Sequence, residues 1–311
     1  MIVHRYSPDM AALWNEFVAC SRNGTFLLDR RYMDYHCDRF ADHSLMIHDD
    51  AGRLVALLPS NEVGSTLNSH AGLTYGGLIL DAKSGSVAVL NMLGGVRDYM
   101  RDNGFSRLLY KTIPSIYHRQ PAEEDRYALF RMGARLSRRD VLSVVPREDR
   151  IRYQDRRSRG IKSALKAGVR VAESLAYPAF WKILEDNLAA RYGVAPVHSL
   201  NEMQLLQAQF PDSIRLFLAF ADQSPLAGAV VYESSRVAHV QYISTSDAGR
   251  SVHALDAVFD HLLKHVYTDK SYFDFGISNE DGGRILNNGL VEQKEGFGAR
   301  TVVHDHYELE C

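Results

Sequence analysis

The chain has only three cysteines in 311 residues: Cys20, Cys37 and Cys311. They are odd in number, widely spaced and contain no C-x-x-C pair, which excludes a disulfide framework and a cysteine zinc site and suits a reducing compartment. No apolar run approaches the ~20 residues that span a bilayer. The opening Met1-Ile2-Val3-His4-Arg5-Tyr6-Ser7-Pro8 lacks the basic-then-apolar layout of a secretory leader. A cytoplasmic protein without a membrane span is therefore expected. Neither sign of charge dominates: 36 Lys and Arg against 38 Asp and Glu leave a formal charge of -2. That argues against general nucleic-acid affinity while leaving room for a local basic patch. Glycine-rich phosphate loops, H-E-x-x-H and G-x-S-x-G are all missing. Asp274-Phe275-Gly276 matches a kinase triplet, but neither a glycine-rich loop nor H-R-D precedes it. His304-Asp305-His306 sets two imidazoles on one side of a strand, yet no third ligand lies nearby in sequence, so no metal is expected.

What remains is a globular composition, 46% hydrophobic and 24% charged, arranged in an order that occurs twice. Ser44–His48 reads as a strand, Asp49–Gly52 as a hairpin turn and Leu54–Pro59 as the return strand. A strand over Gly72–Leu80 follows, then a helix over Val87–Asn103 with Val89, Met92, Leu93, Val96 and Met100 on one face. Gly104 closes that helix, and Arg107–Thr112 begins the next strand. The second half repeats the order: strand Arg215–Phe220, turn Ala221–Pro225, strand Leu226–Glu233, strand Val237–Ser244, helix Val252–Val266 and strand Tyr272–Phe275. Five matching elements in one order point to duplication. The expected division is 1–145, a connector at 146–172 and 173–311.

The connector belongs to a basic stretch, Arg135–Arg170, with twelve Lys or Arg against four acidic residues. Its core from Arg156 to Ala167 reads as a helix capped by Gly168, either a solvated connector or a cationic wall for a phosphorylated partner. A further helix runs from Pro178 to Tyr192 and stops at Gly193. Ser199-Leu200-Asn201-Glu202 spells a capping box, with His198 just ahead of it.

The C-terminal run Phe273–Glu280, Asn287-Asn288-Gly289-Leu290 and Gln293-Lys294-Glu295-Gly296-Phe297-Gly298-Ala299-Arg300 resembles the closing signature of the FemAB/FemX-like superfamily. It is most similar to the bacterial branch of GNAT-family acetyltransferases found with cell-surface polysaccharide genes. Thr74-Tyr75-Gly76-Gly77-Leu78, Lys111-Thr112-Ile113-Pro114 with Tyr117-His118, and the basic helix resemble first-half and linker segments of the same family. The resemblance implies an α/β fold with mixed α+β sheets, as two tandem GNAT-like halves related by a pseudo-twofold. It implies attack of an amine on an activated acyl carbonyl, without an acyl-enzyme, so positioning and oxyanion stabilisation carry the rate. Lys294 matches the family lysine that stabilises the intermediate, and Asp274 and Tyr242 stand with it as catalytic candidates. Acetyl-CoA or another acyl thioester is the implied donor, held at Ser246, Gly249, Arg250 and Ser251, where a helix begins. This loop departs from the full GNAT pattern, and which half takes the donor stays open. Tyr75, Lys111, Tyr117, His118, His198, Ser278, Asn279 and Glu280 are the substrate-binding candidates. The acceptor is expected to be a small-molecule amine, on a nucleotide- or lipid-linked sugar of the cell envelope. The alternatives are aminoacyl transfer from tRNA to a peptide acceptor and a non-catalytic binding protein that keeps the fold.

Overall fold

The computed structural model describes the backbone of all 311 residues and every side chain but that of Tyr192. Two compact units divide the chain. The first is Met1–Asp140 with Asp281–Arg284 and Val303–Cys311, and the second is Val141–Glu280 with Ile285–Val302. Both mix helices with sheets. No helix among the described residues is long and apolar enough to cross a membrane.

The first unit begins with β1 (Ile2–Arg5), α1 (Ala11–Cys20), α2 (Arg30–Met33), β2 (Leu45–His48) and β3 (Leu54–Leu58). It continues with β4 (Asn61–Val63), β5 (Thr66–Asn68), β6 (Ile79–Leu80), α3 (Ser86–Asp102), β7 (Arg107–Lys111) and α4 (Glu124–Arg131). β8 (Arg135–Pro146) leads out of it. β1, β2, β3 and β6 form one antiparallel sheet. The apolar stripe of α3, Val89, Met92, Leu93, Val96 and Met100, is buried in full against Leu45, Ile47, Ala56, Leu58 and Leu108. At about 1.5–3 kcal/mol for each large buried side chain, that stripe is what holds the helix to the unit.

The second unit contains α5 (Asp155–Lys166), β9 (Arg170–Ser174), α6 (Tyr177–Tyr192), α7 (Leu200–Gln209), β10 (Ile214–Ala221), β11 (Ser224–Glu233) and β12 (Val237–Thr245). Then come α8 (Asp247–Ser251), α9 (Ala254–His261), β13 (Tyr272–Ile277), β14 (Asn279–Glu280), β15 (Ile285–Leu286), α10 (Asn288–Glu295) and the start of β16 (Arg300–Glu310). Its sheet runs β8-β13-β12-β11-β10-β9. Every neighbour in it is antiparallel except β12 and β13, which are parallel. Phe217, Ala229, Val231, Ala238, Val240, Phe259, Leu262, Phe273, Phe275 and Phe297 make the core on the α9 side.

Several boundaries differ from those read in the sequence. Of Gly72–Leu80 only Ile79–Leu80 is strand. Gly77 turns the chain at φ +83°, and a Cβ on Gly76 would lie 2.2 Å from the Ser69 carbonyl oxygen, so this glycine pair marks a tight passage and not a ladder. The helix expected over Val252–Val266 begins at Ala254, after His253 at φ +59°, and its last five residues, Leu262–Val266, form a single π turn. The connector proves to be part of the second unit. Gly160, Ile161 and Ala164 of α5 are buried, and a Cβ on Gly160 would meet Asp256 Oδ2 at 2.2 Å, so the helix docks by its backbone. The last residues do not stay in the second unit. From Val303 on, β16 belongs to the first, where it lies antiparallel to β7 with His306 opposite Lys111.

Candidate active site

β12 and β13 are laddered over only three rungs, Val237–Tyr272, Ala238–Phe273 and His239–Asp274. Past the third rung they part. β12 is bulged there: Val230 pairs with Tyr242 and Val231 with Val240, so Gln241 is left over. A bulge inserts one residue and flips the side-chain alternation beyond it. Val240 and Ile243 therefore face the α9 core, while Tyr242 and Ser244 face α6. Tyr242 packs edge-on against Trp181, and Ser244 Oγ accepts from Asn187.

The last paired rung is chemically distinctive. His239 Nδ1 donates to Asp274 Oδ2 at 2.8 Å, and the Gly276 N–H donates to Asp274 Oδ1 at 2.7 Å. Burial alone would raise the Asp274 carboxyl, but His239, the Gly276 N–H and the Lys294 charge outweigh it and hold it below the usual carboxylate range. An ionised carboxylate on Nδ1–H leaves the lone pair on Nε2, which is how an imidazole is prepared to take a proton.

Gly276, at φ +74°, starts a turn whose carbonyls point at α10. Lys294 Nζ donates to Gly276 O (3.1 Å), Ile277 O (2.6 Å) and Ser278 Oγ (2.9 Å). Those three partners use the ammonium's three N–H bonds. Ser278 Oγ in turn lies 2.9 Å from Ser143 Oγ. Lys294 is 5% exposed, and burial lowers its ammonium to about 8, with Asp274 opposing the shift. Of the three catalytic candidates, Lys294 and Asp274 thus meet around one turn, with Ser278 between them.

A cleft of about 460 Å³ opens at the end of β12, between α6 and the starts of α8 and α9. Ile243–Thr245, Asn187, Arg157, Arg191, Arg250 and Gln293 line it. Gly249 and Arg250 reach this lining, whereas Ser246 and Ser251 act on the backbone. Ser246 Oγ caps α8 by accepting from the Gly249 N–H, and Ser251 Oγ donates to Ala248 O. Arg250 Nη1 donates to Thr245 O and Asn187 Oδ1, and the same guanidinium pairs with Asp247. Gly249 is there for space, since an added Cβ would lie 2.2 Å from the Leu226 carbonyl oxygen. Gly249→Ala should push α8 off β11 and cost about 1–3 kcal/mol, the range for overpacking. Urea denaturation reads this directly, and an unchanged midpoint would refute the close approach.

Tyr242 accepts from the His198 backbone N–H at 3.2 Å, and its hydroxyl lies 2.5 Å from His198 Nδ1. Burial raises this phenol to about 12, so it stays protonated. His198 is buried ahead of the α7 capping box. The adjacent Trp181 Nε1 is buried with no hydrogen-bond partner among the described residues. Asn279 Oδ1 accepts from the Val141 N–H, and Glu280 Oε1 from Asn287. These two hold the turn's shape.

The first-half candidates form contacts within the first unit. Tyr75 OH lies 2.7 Å from Thr25 Oγ1, and its ring packs on Tyr117 with centroids 4.6 Å apart. Lys111 donates to Leu73 O and Ala71 O, and burial lowers it to about 8. His118 Nε2 is 3.0 Å from Ile113 O. His239 and Ser143, which contact Asp274 and Ser278, are missing from the sequence-derived candidates. A histidine within Val237-Ala238-His239-Val240 carries no local mark, and its partner Asp274 comes from the next strand of the sheet.

Residues 148–281 match the acetyltransferase (GNAT) domain family. No curated protein matches the chain by sequence. Among solved structures it is similar to FemX, at 11% identity over 98% of this chain and 97% of that one, with a TM-score of 0.68. It is also similar to L-PGS from Bacillus licheniformis (11% identity, 99% and 93% covered, TM-score 0.60). A tandem GNAT protein from the clavulanic acid biosynthesis pathway gives 11% identity, 99% and 98% covered, and a TM-score of 0.53. At such identities the likeness is one of fold: two GNAT-type units in tandem.

Proposed function

We propose, for a chain whose residues 148–281 match the acetyltransferase (GNAT) domain family and whose fold is similar to that of FemX, that its second unit takes the acyl donor. The donor is a thioester, most simply acetyl-CoA, and the acceptor an amine on a nucleotide- or lipid-linked sugar or similar cell-envelope precursor. The observation that carries this reading is the parted pair β12/β13. At its fork stand Asp274, His239 and Lys294, and at its open end lies a cleft lined by Arg157, paired with Asp256, Arg250, paired with Asp247, and Arg191. Guanidinium groups hold phosphate oxygens in forked geometry, which suits the phosphates of a CoA-type donor. The first unit's cleft of about 560 Å³ has Arg53 and Lys83 offset by Asp49 and Asp81 and is the weaker anion site.

His239 Nε2 takes the proton from the attacking amine, whose nitrogen bonds to the carbonyl carbon. The carbon–sulfur bond then breaks, and the sulfur leaves as thiolate and takes the proton back from His239 Nε2 to become the thiol. Lys294 supplies fixed positive charge while the carbonyl oxygen is an oxyanion. It can also exchange Ser278 Oγ for that oxygen, because Ser278 keeps Ser143 as a partner. A tRNA ester presents the same carbonyl, and the exposed Arg156, Arg159, Lys162 and Lys166 on α5 favour it as the second reading.

The donor is tested by thermal shift with acetyl-CoA, CoA and charged tRNA. Acetyl-CoA at about 100 times its Kd should stabilise the fold by about 2.7 kcal/mol. No shift with acetyl-CoA or CoA at millimolar concentration, together with a shift from charged tRNA, would move the assignment to the ester donor.

A further inference from the structure

We propose that Asp140, His304 and His306, all in the first unit, form a binding site for a divalent transition metal of the zinc class. The site shares no residue with the fork of β12 and β13 and does not depend on the acyltransferase reading.

One donor atom from each of the three side chains lies within 4.8 Å of the others. Two residues apart on β16, His304 and His306 project from one face, with ring centroids 4.8 Å apart. Asp140 comes from β8. His306 Nε2 stands 3.4 Å from Asp140 Oδ2. Donor atoms around a tetrahedral zinc, with bonds near 2.0–2.1 Å, are about 3.3 Å apart, so this edge already has its working length. The remaining edges close by side-chain rotation.

The surroundings favour a ligand role. His304 Nε2 donates to the Thr112 carbonyl at 2.8 Å, which fixes the tautomer and leaves Nδ1 with the lone pair. An outer hydrogen bond of this kind orients metal-bound imidazoles. His306 Nε2 is buried with no hydrogen-bond partner among the described residues. A buried ring nitrogen that makes no hydrogen bond costs free energy, and a metal ion held between it and Asp140 removes that cost. Arg138 is the competing charge: its Nε lies 2.9 Å from both Asp140 oxygens. Half-exposed, it can stay on Oδ1 while Oδ2 turns to the ion, as carboxylate ligands commonly keep an outer partner. Two imidazoles and one carboxylate suit zinc, cobalt, nickel or iron and disfavour calcium and magnesium, which take all-oxygen shells. Three protein ligands leave a fourth position for water or a substrate atom.

The test uses the tag-free full chain, stripped with EDTA and titrated with Co²⁺, and reads the visible absorption of cobalt in a low-symmetry site. We expect one equivalent, displaced by Zn²⁺, with affinity reduced more than about 100-fold in His304→Gln and His306→Gln, since each removes one of three ligands. His48→Gln, elsewhere in the unit, should bind as wild type. If buried His304 proves necessary for folding, His306→Gln decides, because its side chain is partly exposed. No cobalt spectrum at millimolar metal, or a spectrum unchanged by His306→Gln, overturns the site and leaves an Arg138–Asp140–His306 charge network.

Discussion

Lys294→Ala is expected to lower kcat by roughly 100- to 1000-fold and to leave donor binding near its wild-type value, the scale for deleting one preorganised oxyanion donor. The charge acts on an oxygen that becomes negative only in the transition state, so its loss appears in turnover. Stability falls as well, because Gly276 O, Ile277 O and Ser278 Oγ lose a buried donor. The assay therefore belongs at a temperature where melting curves show the variant folded. pH separates the two effects. Burial holds the ammonium near 8, below the usual lysine value of 10.5. Between these values the folded chain binds fewer protons than the unfolded one, so this group makes stability rise with pH across that window. Activity should fall across the same window as the ammonium is lost. Lys111, also near 8, adds the same stability trend and persists in the variant, so the activity limb is the diagnostic one. Lys294→Arg should rescue poorly, because a planar fork cannot reproduce three donors on one nitrogen. Retention of more than a tenth of wild-type turnover by Lys294→Ala would remove Lys294 from the chemistry.

The second large effect concerns the Asp274–His239 pair. His239→Gln removes the proton acceptor and should lower kcat by roughly 100- to 10,000-fold, the range for a positioned general base. Asp274→Asn should approach the same loss, because an amide does not hold Nδ1–H as a carboxylate does. Its effect on stability has a defined sign. Asp274's folded value lies below the ordinary one, so its contribution is present above the ordinary carboxylate range and fades as pH falls through the folded value. Equal melting curves for wild type and Asp274→Asn at low pH, diverging towards neutral pH, would show this. Retention of more than a tenth of wild-type turnover by His239→Gln would assign the base to another group.

Much of the scaffold was legible because its signals are local. The α3 stripe repeats at helical spacing, Ser199 and Glu202 form the expected capping box, and Gly193 ends α6 in the left-handed region. Of the candidate residues, Asp274, Ser278 and Lys294 were named through the family signature alone, and the structure brings them together around one turn. His239 was hidden because a lone histidine in an apolar strand looks half-buried, and the parallel rung that joins it to Asp274 is a tertiary fact. The left-handed His253 that divides α8 from α9 carries no glycine to announce it. The Asp140–His304–His306 cluster needs the return of β16 to the first unit, which sequence spacing does not encode.

The central claim, that the second unit takes the thioester donor at the fork of β12 and β13, is tested most directly by amide hydrogen exchange with and without saturating acetyl-CoA. Slowed exchange is predicted over Gln241–Asp256, which includes the end of β12 and the starts of α8 and α9, with little change over Asp81–Met92. Protection confined to Asp81–Met92, or no protection in either segment under saturating ligand, would contradict it.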